Sequence, residues 1–303
     1  MTLYAIDVGA TKMDFGVFDN DGELLEKQTH KTPLDSWNHF TSLLIGQMDE
    51  FEGKYGKAKS LGIGVAATVD PLTQKASSAS IKSIAGRNLS KELESILSCP
   101  VYVGVDAACF TRVEVLKGKA QGKNYVFGLI LGTGVGGSFF INGQVMKGRD
   151  GLAGEWGHGN NLHEKLKACG LKDHLCGCGQ TSCLDSYGAG KGLERIHHQL
   201  HDVDINTKNI LDAWRNSEAE ACKSVEIFIT LLVDQLTVNV NILNPEMMPV
   251  AGGLAKAADL IAEIDKRVRK NCIANYEEPL IVPGEFIIDG CLRGAALLIP
   301  AAN

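Results

Sequence analysis

One pattern occurs twice in this chain and limits what it can fold into. Leu3–Val8 is apolar and β-prone, Gly9-Ala10-Thr11-Lys12 is a short loop, and Met13–Phe18 reads as a second strand. Asn20-Asp21-Gly22 then reads as a turn and Glu23–Gln28 as a third strand. The order returns with Tyr125–Leu131, the loop Gly132-Thr133-Gly134-Val135-Gly136-Gly137, the strand Ser138–Ile141, the hairpin turn Asn142-Gly143 and a last strand Gln144–Lys147. A repeated strand, glycine/threonine loop, strand, turn, strand implies two related lobes. A length of 303 residues agrees, since it exceeds a single mid-sized core.

Helices are expected between and after the two units. Ser36–Phe51 places Phe40, Leu44, Met48 and Phe51 on one face. Ser90–Leu97, Ala107–Leu116, Ala189–Leu200, Asn209–Trp214, Ala219–Leu243, Leu254–Lys270 and Cys291–Leu298 follow. Strands alternating with helices indicate α/β layers. The Lys/Gly-rich stretch Gly118–Gly122 marks the lobe boundary.

Charge and hydropathy exclude several functions. A formal net charge of −6 argues against a broad nucleic-acid surface. No apolar run reaches the roughly 18 residues that would span a membrane. The chain enters Leu3–Val8 with no basic region and cleavage site before it, so we expect a cytoplasmic protein with reduced thiols. Of nine cysteines, Cys99, Cys109, Cys169, Cys222, Cys272 and Cys291 are scattered and are expected to be small buried apolar side chains.

The loops suggest phosphate. Glycine lets a backbone approach closely, and consecutive N–H groups form an anion nest. Gly132–Gly137 offers this together with the Thr133 hydroxyl. Gly9–Lys12 offers a hydroxyl at Thr11 and a cation at Lys12, with Asp7 able to act through a metal. Neither is a Walker loop or a dinucleotide fingerprint, and each alone could be a tight hairpin. Gly252-Gly253 forms a third glycine turn, at a strand end before a helix, where α/β proteins admit ligands. Asp106 ends the short strand Val101–Val105. It can cap the following helix. It can also orient an acceptor hydroxyl and take its proton, which with positioning and charge neutralisation is most of what phosphoryl transfer requires.

Cys176, Cys178 and Cys183 crowd into one glycine loop. Three thiolates and one histidine complete a tetrahedral zinc set with no open position, hence a structural site. His158, His163 and His174 all compete for the fourth place.

Together, Asp7-Val8-Gly9-Ala10-Thr11-Lys12, Leu131–Gly137, Gly154-Glu155-Trp156-Gly157-His158, Cys176-Gly177-Cys178-Gly179-Gln180 with Cys183-Leu184, and Ala251-Gly252-Gly253-Leu254 resemble the ROK (repressor, open reading frame, kinase) family over nearly the whole chain. The resemblance implies two ribonuclease-H-like lobes of the actin/hexokinase type around a central cleft. They would run 1–118 and 119–290, with a helix in 291–303 returning to the first lobe. It implies an ATP-dependent kinase that phosphorylates a hexose or amino sugar at the 6-hydroxyl, with Asp106 as base. Asp7, Gly9, Thr11, Lys12, Gly132, Thr133, Gly134, Gly136 and Gly137 would hold ATP phosphates with Mg2+, and Gly252 and Gly253 would lie near the adenosine end. Zinc would take His158, Cys176, Cys178 and Cys183. Ala67, Ser80, Val105, Glu155, His158 and Asp185 fall at sugar-contacting positions, and the assembly would be a homodimer.

The sugar side departs from the family pattern. Asn-Asp-Ala-Asn becomes Val105-Asp106-Ala107-Ala108, Pro-Gly becomes Ala66-Ala67, an asparagine becomes Ser80, a glutamate becomes Asp185, and Gly-Gly-Thr becomes Gly9-Ala10-Thr11. Each lost hydrogen-bond partner costs about 1–3 kcal/mol. Two other readings follow. One is a protein of this fold that binds ligand without catalysis. The other is a sugar-responsive regulator without its DNA-binding domain, although the first strand already begins at Leu3 and the net charge is acidic.

Overall fold

The computed structural model describes residues 2–300. In chain order the first elements are β1 (Leu3–Val8), β2 (Lys12–Phe18), β3 (Leu24–Lys31), α1 (Trp37–Tyr55), β4 (Leu61–Val65), β5 (Thr68–Val69), β6 (Ala76–Ser77), α2 (Leu89–Leu97), β7 (Val101–Val105) and α3 (Asp106–Lys117). Next come β8 (Tyr125–Leu131), β9 (Val135–Ile141), β10 (Gln144–Val145), α4 (His163–Ala168), α5 (Gly190–His201), α6 (Thr207–Arg215) and α7 (Ala219–Leu243). The chain closes with β11 (Met248–Ala251), α8 (Ala258–Asn271), β12 (Ile281–Pro283) and α9 (Gly290–Ala296). Two compact units result. One comprises Met1–Gly118, Gln144–Ala153 and Asp289–Asn303, and the other Lys119–Gly143 and Gly154–Ile288. The last three residues of the stretch 291–303 lie outside the described residues.

In the first unit β1 pairs antiparallel with β2 and parallel with β4, and β4 continues parallel to β7. The second unit repeats this logic: β8 pairs antiparallel with β9 and parallel with β11, which runs parallel to β12. Parallel strands buried on both faces read as continuous apolar runs, and every residue of β4 and β11 is buried. That is why β4 lacks the alternation that would flag it in the sequence.

Helices cover both faces of the first sheet. Phe40, Leu44, Met48 and Phe51 of α1 and Leu89 and Leu93 of α2 fill one core cluster with Ile6, Phe15 and Ile63. α1 starts where Ser36 caps it, its side chain accepting from the His39 N–H at 3.2 Å. On the opposite face Cys109 of α3 packs with Leu292, Ala295 and Ala296 of α9. Close approach needs glycine there: a Cβ on Gly294 would lie 1.8 Å from the Cys109 carbonyl oxygen, and one on Gly62 2.0 Å from that of Ala295.

In the second unit α7 forms the heart of the core, with Val225, Phe228, Leu232 and Leu236 against β8, β11 and α8 residues. By length and apolar composition α7 could cross a bilayer, but eleven of its residues are buried, so its hydrophobicity serves this core.

Several boundaries differ from the sequence reading. Val135, Gly136 and Gly137 belong to β9, opposite Leu131, Ile130 and Leu129, so the second glycine loop shrinks to Gly132–Gly134. The expected helix Leu254–Lys270 is a 3-10 turn, Gly253–Lys256, then a break at Ala257 before α8. Of the six scattered cysteines Cys109 is buried, whereas Cys99, Cys169, Cys222, Cys272 and Cys291 are partly exposed.

Candidate functional site

Strand register assembles the first cluster. Asp7 of β1 stands opposite Asp14 of β2 and level with Gly64 of β4. Val65 pairs with Val105, so Asp106 follows one residue beyond, at the C-terminal edge of parallel strands, the edge at which such sheets bind ligands. Asp106 is the first residue of α3, not its cap. The cap position is Val105, and the Asp106 carboxylate accepts from the Ala107 N–H at 2.7 Å. Burial, then the nearby charges of Asp106 and Asp14, push the Asp7 carboxyl up to about 7, with Lys12 and Lys27 working the other way. Asp7 therefore exchanges its proton near neutrality, and a cation placed there would lower that value.

Asp14 gave no signal in the sequence beyond being a charge inside a strand. It is 2% exposed, salt-bridged to Lys12 at 2.6 Å and Lys27 at 2.9 Å, and accepts from the Thr29 hydroxyl at 2.6 Å. Burial alone would raise its carboxyl, but the hydrogen bonds from Lys12, Thr29 and Lys27 hold it below the usual range. Lys12 is thereby anchored at the mouth of the Gly9–Thr11 loop. The loop is closed by the Gly9 N–H on the Lys12 carbonyl at 3.0 Å and the Thr32 hydroxyl on the Gly9 carbonyl at 2.7 Å. Thr11 and Lys12 are exposed. In the same unit Ala67 and Val105 are partly exposed, and Ser80 is exposed just after the β5–β6 hairpin.

In the second unit the structure brings two glycine turns together. Gly252 has φ +90°, and a Cβ there would lie 2.5 Å from the Leu131 carbonyl oxygen and 2.8 Å from the Gly132 nitrogen. Gly253 is open, with nothing within 4 Å of its would-be Cβ. The loop itself is pinned by the Gly132 N–H on the Gly134 carbonyl at 3.1 Å, and Thr133 is exposed. Behind it, Gly137 has no room for a side chain, since a Cβ would stand 2.5 Å from Phe127. The Trp156 indole N–H donates to the Gly136 carbonyl at 3.0 Å, fastening Gly154–His158 to β9. α5 also begins here: a Cβ on Gly190 would sit 3.1 Å from the Thr207 hydroxyl and 3.8 Å from the Gly132 carbonyl oxygen.

The cysteine knuckle follows in the same unit. His158 Nδ1 lies 3.6 Å from Cys176 Sγ, Cys178 Sγ lies 3.6 Å from Cys183 Sγ, and the four ligand atoms fall within 4.8 Å of one another. Zn–S bonds of about 2.3 Å at tetrahedral angles require ligand atoms roughly 3.8 Å apart, so these residues fit a tetrahedral divalent ion. Of the competing histidines, His163 pairs with Asp173 at 2.8 Å and neither it nor His174 joins the group. Burial pushes the Cys176 thiol up to about 12 and raises that of Cys183, whereas the Gln180 backbone N–H lowers that of Cys178. Two of the three thiols thus resist ionisation unless a cation compensates.

The remaining His158 nitrogen, Nε2, faces Glu155 Oε2 at 3.4 Å. Burial, with the charge of Asp185, raises the Glu155 carboxyl against the opposing effect of His158. Asp185 turns toward the loop: its Oδ1 accepts from the Val135 N–H at 2.9 Å and its Oδ2 lies 3.5 Å from Cys176 Sγ.

The fold and both clusters define an α/β protein of the actin/hexokinase type, the fold of a ROK hexokinase from Thermus thermophilus and a ROK glucokinase from Streptomyces griseus solved with glucose and AMPPNP. Each superposes with a TM-score of 0.80 at 25% identity; 98% of this chain is covered, with 97% and 99% of theirs. The chain is 31% identical over 297 residues to an N-acetyl-D-glucosamine kinase of Photobacterium profundum, covering 97% of this chain and 98% of the relative. The ROK family model matches residues 3–302, and the chain belongs to the ROK family.

Proposed function

We propose that this protein is an ATP-dependent sugar kinase acting on the 6-hydroxyl of a hexose or amino sugar. The observation that carries the reading is the carboxylate pair at the C-terminal strand edge, Asp106 beside an Asp7 whose proton is held to near neutrality. A pair of this kind suits one group that takes a proton and one that faces a cation. The kinship with N-acetyl-D-glucosamine kinases supports the reaction class.

Asp106 takes the proton of the attacking hydroxyl as its oxygen bonds to the γ-phosphorus and the bond to the β-phosphate oxygen breaks, releasing ADP. Gly9, Thr11 and Lys12, and Gly132, Thr133 and Gly134, hold the phosphates, with Gly136 and Gly137 in β9 backing the second loop; Gly252 and Gly253 lie toward the adenosine. Mg2+ would be held through Asp7 and would neutralise phosphate charge. Zinc would be held by His158, Cys176, Cys178 and Cys183 as a structural ion. Glu155 and His158 Nε2 address sugar hydroxyls, with Ala67, Ser80 and Val105 shaping the sugar's surroundings. The reading places the protein in the cytoplasm as a homodimer, and a solution mass of one chain by light scattering would refute the dimer.

The test is ATP consumption across hexoses and amino sugars, N-acetylglucosamine included, by wild type and Asp106→Asn. Sugar-dependent turnover lost in the variant is expected. No turnover on a broad panel, or an unchanged rate in the variant, sinks the proposal. The apolar Val105 and Ala67 favour one rival, a ligand-binding protein without catalysis. ATP binding without transfer to any sugar would decide for it.

A further inference from the structure

A single carboxylate joins the second glycine loop to the segment that carries the knuckle. Asp185 sits in the 3-10 turn Leu184–Ser186, directly after Cys183-Leu184, and its backbone N–H donates to the Gly157 carbonyl at 2.7 Å. The turn is thereby tied by backbone to the residue before His158. Its side chain reaches the other way, Oδ1 accepting from the Val135 N–H at 2.9 Å. Val135 is where the loop Gly132–Gly134 re-enters β9.

Two glycines make this arrangement possible. A Cβ on Gly134 would stand 2.3 Å from Asp185 Oδ1, so only a residue without a side chain admits the carboxylate. A Cβ on Gly157 would stand 2.8 Å from the Val135 carbonyl oxygen, so the His158-bearing segment presses on the same residue. Val135 is held at its amide by Asp185 and at its carbonyl side by Gly157. A charge-assisted bond of this length to a backbone amide is among the stronger single contacts available.

We infer that Asp185 is a positioning residue for the second glycine loop, fixing the loop's backbone relative to the knuckle segment through Val135. The inference rests on the reading of Gly132–Gly134 as a phosphate-holding loop, and it gives Asp185 a duty other than gripping sugar. The knuckle then has a route to the nucleotide side that runs through backbone and one side chain.

Amide exchange at Val135, measured in the protein without substrate, reads the contact directly and does not depend on whether the chain is a kinase. Asp185→Ala is expected to speed exchange at Val135 about tenfold or more while Phe127, whose amide donates to the Met247 carbonyl, changes less than about twofold. Asp185→Asn keeps an acceptor oxygen and is expected to restore most of the protection. In turnover, Asp185→Ala is expected to raise the KM for ATP about tenfold, a change that a role confined to the sugar would not produce. Unchanged exchange at Val135 overturns the inference. So does a rise confined to the sugar KM. Should Asp185→Ala not fold, Asp185→Ser serves in its place, because its hydroxyl stands one bond short of the carboxylate oxygen that reaches the Val135 amide; unchanged protection at Val135 would then overturn the assignment.

Discussion

Asp7 and Asp106 share one strand edge, where burial and then the charge of Asp106 raise the Asp7 carboxyl. On the proposed role of Asp106 as proton acceptor, Asp106→Asn should lower kcat by about 10²–10⁴-fold; a fall smaller than tenfold in initial-rate assays would remove Asp106 from that role. Asp7 gives a pH prediction with a definite sign. Its folded value lies near 7, above the ordinary carboxylate value, so the folded chain holds a proton there that the unfolded chain has released. The stabilisation is complete below about pH 3.9 and is lost as pH rises through about 7. Asp7→Asn should therefore unfold at a higher temperature than wild type at pH 8, by a few degrees, and the gap should narrow clearly at pH 5. Equal gaps at both pH values in thermal melts would contradict the burial of that charge. A group that costs stability and is retained at a site fits a trade of stability for function.

Among the elements, the knuckle lies in a stretch poor in regular structure. The region 154–188 contains only the short α4 and one 3-10 turn among its regular elements, and loops are held by specific contacts more than by propensity. A structural ion contributes folding energy outright. Chelation should speed amide exchange through 154–188 well before it affects β2 of the other unit. Elemental analysis showing less than one equivalent of zinc in unchelated protein would refute the ion itself. Helix α9 supplies a contrasting case of pure packing. Gly294 lets its backbone touch α3 at Cys109, so Gly294→Ala should destabilise by on the order of 1–3 kcal/mol or more. Denaturant melts showing no loss would mean α9 can shift freely, contrary to its packing with Ala5, Phe18 and Cys109.

At the scale of the whole molecule, two separately cored units answer pH differently. The second unit contains His197, 2% exposed, its Nδ1 3.0 Å from the Ser224 hydroxyl. That hydroxyl donates to the Glu220 carbonyl, and the His201 ring lies 4.8 Å away, centroid to centroid. Burial, then the His201 charge, lowers its proton affinity against the pull of Glu220. A lowered histidine value costs nothing above about pH 6.5, where both states are neutral, and costs stability as pH falls below it. Urea midpoints taken from pH 7.5 to 5.5 should fall more steeply for wild type than for His197→Leu. Parallel curves would show that His197 is not the titrating group. Asp7 acts in the first unit with the opposite sign, so acid weakens one core and base the other.

Much of this was legible in the residues. Apolar β-prone runs marked β1 and β8, and helical spacing marked α1, because composition and spacing along one segment decide which face is apolar. The duplicated strand–loop–strand signal gave the paired architecture, and three thiols within one glycine loop announced the knuckle. What local pattern could not reach were facts that depend on residues far apart in the chain. β4 and β11 are buried on both faces and carry no alternation. Local spacing left His158 in competition with His163 and His174; the family resemblance favoured His158, and folding put its Nδ1 beside Cys176. Asp14 became a buried anchor for two lysines, and Asp185 turned to the Val135 amide, because pairing register and glycine clearances put partners within reach. The identity of a residue sets what its side chain is able to do; the pairing of distant strands decides which partners it meets.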